Sequence, residues 1–101
     1  MLNSDSYLVI QSWMVTGLKL KGLDLMLYAI IYGFSQDGQS AFSGTLSYLM
    51  EWTGCKKRGV LYSLQYLESE GLIQKEEFRL RGVKHCRYRC TPMIDYLARR
   101  G

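Results

Sequence analysis

Residues 45–73, TLSYLMEWTGCKKRGVLYSLQYLESEGLI, decide the fold. Leu46, Leu49 and Met50 recur at three and four residues ahead of Gly54, and Val60, Leu64 and Leu67 do the same beyond it. Two amphipathic helices follow, each with an inward stripe, separated by a tight turn. Thr45 is placed to cap the first helix, because its hydroxyl can accept from a first-turn amide. Gly71 is placed to end the second in a left-handed conformation. Apolar positions at these spacings pack the helices at a steep angle and leave the first turns of the second projecting outward. That is a helix-turn-helix.

Upstream, Leu23 to Phe34 forms a strongly apolar helix. Leu23, Leu27, Ile30, Ile31 and Phe34 set one face, and Leu25, Met26 and Tyr28 widen it, so the helix is expected at the centre of the core. Gln36-Asp37-Gly38 supplies turn chemistry to end it. Ala41-Phe42 is read as a short strand. Residues 7–14, YLVIQSWM, are rich in strand formers with no breaker and read as an N-terminal β-strand. Its apolar residues occupy both parities, which predicts that Tyr7, Val9 and Trp13 are covered by a second copy of the chain.

Downstream, Leu72–Leu80 and Val83–Thr91 read as two strands joined around Arg81-Gly82. Loops of two or three residues both remain open there. Cys86, Tyr88 and Cys90 alternate with Arg87 and Arg89, giving one apolar and one cationic face. Pro92 opens a short last helix over 92–100, with Met93, Ile94 and Leu97 to pack and Arg99-Arg100 near its negative pole. The expected fold is α+β: a winged helix-turn-helix with a three-helix core, a C-terminal hairpin wing, an extra N-terminal strand and a short C-terminal helix. The whole chain, 1–101, is read as one such domain, with an arm at about 7–16, the helix-turn-helix at 45–70 and the wing at 72–91.

With 101 residues, 48% apolar and 22% charged, and a single proline, the composition suits one globular unit and excludes disordered or low-complexity classes. The net charge of +4 is unevenly placed. Up to Met50 there are two lysines against three aspartates; beyond it, eleven Lys and Arg face six Asp and Glu. The excess lies in two groups, at 56–58 and 79–89, the footprint of a surface facing phosphates. No stretch approaches the roughly 20 apolar residues of a membrane span, and no signal peptide is evident, so a cytoplasmic location is expected.

The three cysteines, Cys55, Cys86 and Cys90, have no framework spacing and read as reduced thiols. A zinc site from Cys86, Cys90 and His85 fails on distance, since positions four apart on a strand lie about 13 Å from one another. Both cysteines are expected to face the core. No cofactor or small-molecule substrate is called for, and one histidine without an acid–base constellation argues against an enzyme.

At about 100° per residue, Val60, Leu64 and Leu67 fall together, while Arg58, Tyr62, Gln65 and Tyr66 fall opposite. A helix set in a major groove offers its first turns to base edges. Arg58 suits guanine and Gln65 adenine; Lys56 and Lys57 suit phosphates; Tyr62 suits sugar, phosphate or base, and Tyr66 reads as an ordinary exposed side chain. In the wing, Arg79, Arg81, Lys84, Arg87 and Arg89, with His85, are candidates for groove or backbone contacts. Arg81 and Lys84, nearest the tip, are the firmest. Some of the others must pair with Glu76 and Glu77 across the strands, Arg87 above all.

The stretches YLVIQSWM, LKLKGLDLMLYAIIYGFSQDG, LSYLMEWTGCKKRGVLYSLQYLESEGLIQKEE and GVKHCRY, over about residues 7–89, resemble the winged-helix N-terminal domains of DnaD-like replication initiators and phage replisome organisers of Gram-positive bacteria. The resemblance implies a DNA-associated, self-associating module of replication start-up, often followed by a second domain. Two positions depart from a general helix-turn-helix pattern. Lys56 stands where a serine often caps the recognition helix, and Gly59 stands where a threonine often precedes the core valine, which puts a glycine in the expected reading face. The expected function is DNA binding through the third helix and the wing. An adaptor domain that self-associates and recruits other replication proteins, with weak DNA binding, is the alternative, and a small transcriptional regulator is a third reading.

Overall fold

In the computed structural model, which describes residues 7–35, 41–43 and 45–92, the elements follow the order α1 (Ser12–Thr16), α2 (Gly22–Phe34), α3 (Leu46–Thr53), α4 (Lys57–Ser69), β1 (Ile73–Leu80) and β2 (Val83–Cys90). The turn at 36–38, Gly44 and the helix expected beyond Pro92 lie outside the described residues.

α2 occupies the middle. Leu27, Tyr28, Ala29, Ile30 and Ile31 are all buried, and five consecutive buried residues mean a helix covered around its whole circumference. α1, α3, α4 and β2 all pack on it. Tyr28, expected only to widen the stripe, is the largest fully buried side chain, whereas Phe34 is 46% exposed and meets Phe42 edge-on at 5.2 Å. Fully burying an aliphatic or aromatic side chain contributes about 1.5–3 kcal/mol, so α2 holds much of the stabilisation available to so small a core.

The helix-turn-helix forms as the spacing predicts. Thr45 Oγ1 accepts from the Tyr48 amide at 3.1 Å, capping α3. Gly54, at φ +70°, closes α3 by donating its amide to Met50 O at 2.8 Å. α4 follows Lys56, whose side chain does not cap it, and is stopped by Gly71, φ +76°, where the Leu72 amide returns to Leu67 O at 3.0 Å. Val60, Ser63, Leu64 and Leu67 face inward. The Ser63 hydroxyl donates to the Asp24 carboxylate, tying α4 to the first turn of α2.

The wing is an antiparallel pair in register Ile73↔Cys90 to Leu80↔Val83, so the loop has two residues. Arg81 and Gly82 both take positive φ, +54° and +80°, as in a type I′ turn. Phe42 adds an isolated bridge to Tyr88, with amide–carbonyl bonds of 2.6 and 2.8 Å, in place of the short strand expected at 41–42.

The N-terminal strand is corrected. Residues 7–11 hold no regular structure, and Ser12–Thr16 is a single helical turn. A strand would send Trp13 and Met14 to opposite faces; one helical turn sends both inward. Met14 is fully buried, and Trp13 packs edge-on against Tyr28 and Tyr32, with ring centroids at 6.1 and 5.3 Å. Its indole N–H donates to Gln11 Oε1 at 2.7 Å.

Gly59 is corrected too. It is half-buried on the inner side of α4, where an added Cβ would sit 3.7 Å from Leu23 Cδ2, an ordinary contact. Gly59→Ala should therefore fit, restrict the unfolded chain and raise stability by roughly 0.5 kcal/mol, or about 3 °C in Tm. A lowered Tm in a thermal melt would contradict this packing.

Burial pushes the Cys90 thiol up from its ordinary 9.0 to about 12, against smaller lowering contributions from hydrogen bonds with Tyr28 and Ser35. Burial, assisted by negative charge at Cys86, Glu68 and Glu77, likewise pushes Tyr88 from 10.0 to about 12. Both groups are neutral when protonated, and the folded state holds their protons more tightly. The stability they contribute is complete below about pH 9 and is lost as the pH rises toward about 12. Urea denaturation should show this alkaline loss, and a smaller loss in Cys90→Ala.

Candidate nucleic-acid interface

Two cationic groups stand at the far ends of two arms that meet at residues 70–72. α4 runs about 20 Å back from that junction to Lys57, at 1.5 Å per residue. The wing runs about 26 Å out to Arg81, at 3.3 Å per residue.

At the α4 end, Lys56, Lys57 and Arg58 are exposed, and no carboxylate is ion-paired to them among the described residues. They surround the amides of a helix start that has no side-chain cap. Free N–H groups, the positive pole of the helix and three cations coincide there, an arrangement suited to anions. The outer face continues with Tyr62, Gln65 and Tyr66, all exposed, as the helical wheel predicts.

The wing is electrostatically different, because three of its six cations, Lys75, Lys84 and Arg87, are ion-paired within the hairpin. Arg87 lies directly opposite Glu76, ion-pairs with it and also covers the Phe78 ring at 4.9 Å. Lys84, expected as a free tip contact, is held by Glu77 at 3.0 Å, and Lys75 approaches the same carboxylate at 3.8 Å. Lys84, by hydrogen bond and then by charge, holds the Glu77 carboxyl below its usual range. Such exposed pairs are worth little in stability, but they set the direction of the side chains. Arg79 donates to Gly82 O at 3.3 Å across the turn. Arg89, opposite Gln74, is half-buried. Arg81 alone stands at the apex with no side-chain partner among the described residues.

The pairing register brings out residues that the sequence reading missed. Leu80 and Val83 face each other beside the turn, 57% and 58% exposed, and Phe78 stacks with the wing candidate His85 at 5.5 Å. The wing tip is thus partly apolar. The signal lay in the turn length: only a two-residue loop puts Leu80 opposite Val83. Cys90 packs on the core as expected, whereas Cys86 is only half-buried beside Glu77 in the register.

Of the residues expected to self-associate, Tyr7 and Val9 are 80% and 55% exposed, while Trp13 is engaged by its own chain. Among the described residues no helix is long and apolar enough to cross a membrane, and no cluster of three His, Cys, Asp or Glu could hold a metal ion.

Among curated proteins, none matches the chain in sequence. Among solved structures, the fold is similar to that of Stf76 from the Sulfolobus islandicus plasmid-virus pSSVx, with a TM-score of 0.51 and 20% identity over 80% of this chain and 97% of the other. A family model described as a helix-turn-helix domain matches residues 18–73, from the approach to α2 through α4 to the first residue of β1. That match covers more than half of the sequence and coincides with the three packed helices, and the chain belongs to the helix-turn-helix domain family.

Proposed function

We propose that this chain is a DNA-binding module, not an enzyme, that sets the N-terminal turns of α4 in the major groove of duplex DNA and brings the wing tip to the neighbouring backbone or minor groove. The observation that carries the proposal is the unmatched cationic start of α4, three exposed basic residues on an uncapped helix N-terminus. Lys56 and Lys57 take phosphates, and Arg58 and Gln65 take base edges. Tyr62 lies between these two functions. In the wing, Arg81 is the principal contact, and Arg79 and Lys84 contribute after giving up their contacts to Gly82 and Glu77. The resemblance to DnaD-like initiators and phage replisome organisers supports a place in replication start-up.

A second reading has its own observation. Tyr7, Val9, Ile10 and Phe34 are large apolar side chains left 46–80% exposed. Three of them, Tyr7, Val9 and Phe34, line one groove of about 310 Å³ between the N-terminal segment, α2 and α3, together with Tyr32, Tyr48 and Trp52. In this reading the segment docks on a second copy, and the domain works as a self-associating adaptor that brings other replication proteins to DNA. The two readings are compatible, because they use different residues.

Fluorescence anisotropy with a labelled duplex tests the first reading. Lys56, Lys57 and Arg81, the unmatched cations set against phosphates, predict a slope of log K on log salt of about −2.7, and of about −1.8 after Lys57→Ala with Arg58→Ala. An unchanged slope in that double variant would remove the α4 assignment. Light scattering tests the second. Dimer should accumulate with concentration and disappear in Tyr7→Ser with Val9→Ser; a wild-type protein that stays monomeric at its highest soluble concentration refutes it.

A further inference from the structure

The outer face of α4 carries more than a duplex reader requires. Arg58, Tyr62 and Tyr66 follow one another at intervals of four residues and form a single stripe along the helix. The two rings are 68% and 47% exposed, and neither belongs to an aromatic pair among the described residues. Beside them, Lys57, Arg58, Leu61, Tyr62 and Gln65 line a shallow, open depression of about 530 Å³.

Each part of this surface matches part of a nucleotide. An exposed phenol ring offers a flat face to any base, two cations offer charge to phosphate, and the Gln65 amide offers both a donor and an acceptor to a base edge. Geometry then selects the kind of strand. In a duplex, bases show a groove-bound helix their edges and keep their faces against one another. Side chains four apart on a helix start about 5–6 Å from each other at Cβ, wider than the 3.4 Å rise per base of a B-form strand. Two neighbouring bases reach two such rings only when they are unpaired and drawn apart.

We propose that the α4 face also binds single-stranded DNA, stacking successive unpaired bases on Tyr62 and Tyr66 while Lys57 and Arg58 hold the adjoining phosphates. The proposal rests on the reading of α4 as the DNA-contacting helix and extends it from duplex to opened strands. A module with both modes holds a strand after its duplex has parted.

The test is anisotropy of the full chain with labelled oligo-dT and, separately, with a duplex of equal length, at low salt. The wild type should bind both. Tyr66→Ala should weaken oligo-dT binding roughly tenfold and leave duplex binding within a factor of two. Tyr66→Phe, which keeps the ring and loses the hydroxyl, should bind oligo-dT like the wild type, and Tyr62→Ala should weaken both substrates. A thermal melt of each variant confirms that the exposed positions leave folding intact. Tyr66→Ala that binds oligo-dT at wild-type strength, or that loses both substrates by the same factor, overturns the stacking platform. Duplex binding without oligo-dT binding overturns this proposal and leaves the DNA-binding module standing. Failure to bind either overturns both.

Discussion

The rest of the structure depends on the burial of α2 on all sides. A helix with Leu27, Tyr28, Ala29, Ile30 and Ile31 all out of water cannot stand at an edge, so every neighbour must cover part of it. α4 takes one side and β2 another, with α3 and α1 filling the remainder. α4 is consequently held along a single stripe, Val60, Ser63, Leu64 and Leu67, and its opposite face is left to solvent. The hydrogen bond from Ser63 to Asp24 adds a polar fixture near the start of α2. Orientation of α4 is thus a by-product of core formation, and its outer residues are free to vary without disturbing the fold.

Charge is handled differently in the two arms. At the start of α4, Lys56, Lys57 and Arg58 are ion-paired to no carboxylate among the described residues. On the wing, Glu76 and Glu77 sit within the basic run and pair half of it, Glu76 with Arg87 and Glu77 with Lys84 and Lys75. A phosphate approaching the hairpin competes with these carboxylates for the same cations, whereas a phosphate approaching Lys57 displaces only water and counterions. The wing therefore offers an anion fewer free cations than its composition suggests, and Arg81, at the apex of the I′ turn, is the one placed farthest from these carboxylates along the hairpin.

The helix-turn-helix was legible because its signals are local and redundant: two apolar stripes, Thr45 as a cap, Gly54 and Gly71 as stops, all agreeing on the same boundaries. The N-terminal segment was misread because its signal is not local. Tyr7 to Met14 has strand-forming composition, but a strand also needs a partner, and what the core offered instead was a site on α2 for Trp13 and Met14 together. Gly59 was misplaced by analogy with a family pattern; its contact with Leu23 shows that the position faces α2. In the wing, residue types were legible and partners were not. Which basic side chain meets which acid follows from register, and register followed from a loop length that the residues alone left open.

The exposed tyrosines of α4 do nothing for the fold that cheaper residues would not do better. Tyrosine is a middling helix former, about half a kcal/mol poorer than alanine in a helix. At 68% and 47% exposure, Tyr62 and Tyr66 leave much of their apolar area in water. Seven other rings of this chain are used for packing: Trp13, Tyr28 and Tyr32 close one cluster, and Phe34, Phe42, Tyr48 and Trp52 form another. Tyr62 and Tyr66 join neither, although they lie on a helix whose inner face is already complete. A ring so placed is stabilised only by something that comes to cover it. On a helix that opens with three unmatched cations, the partner best suited to cover a flat ring beside a positive charge is a base with its phosphate.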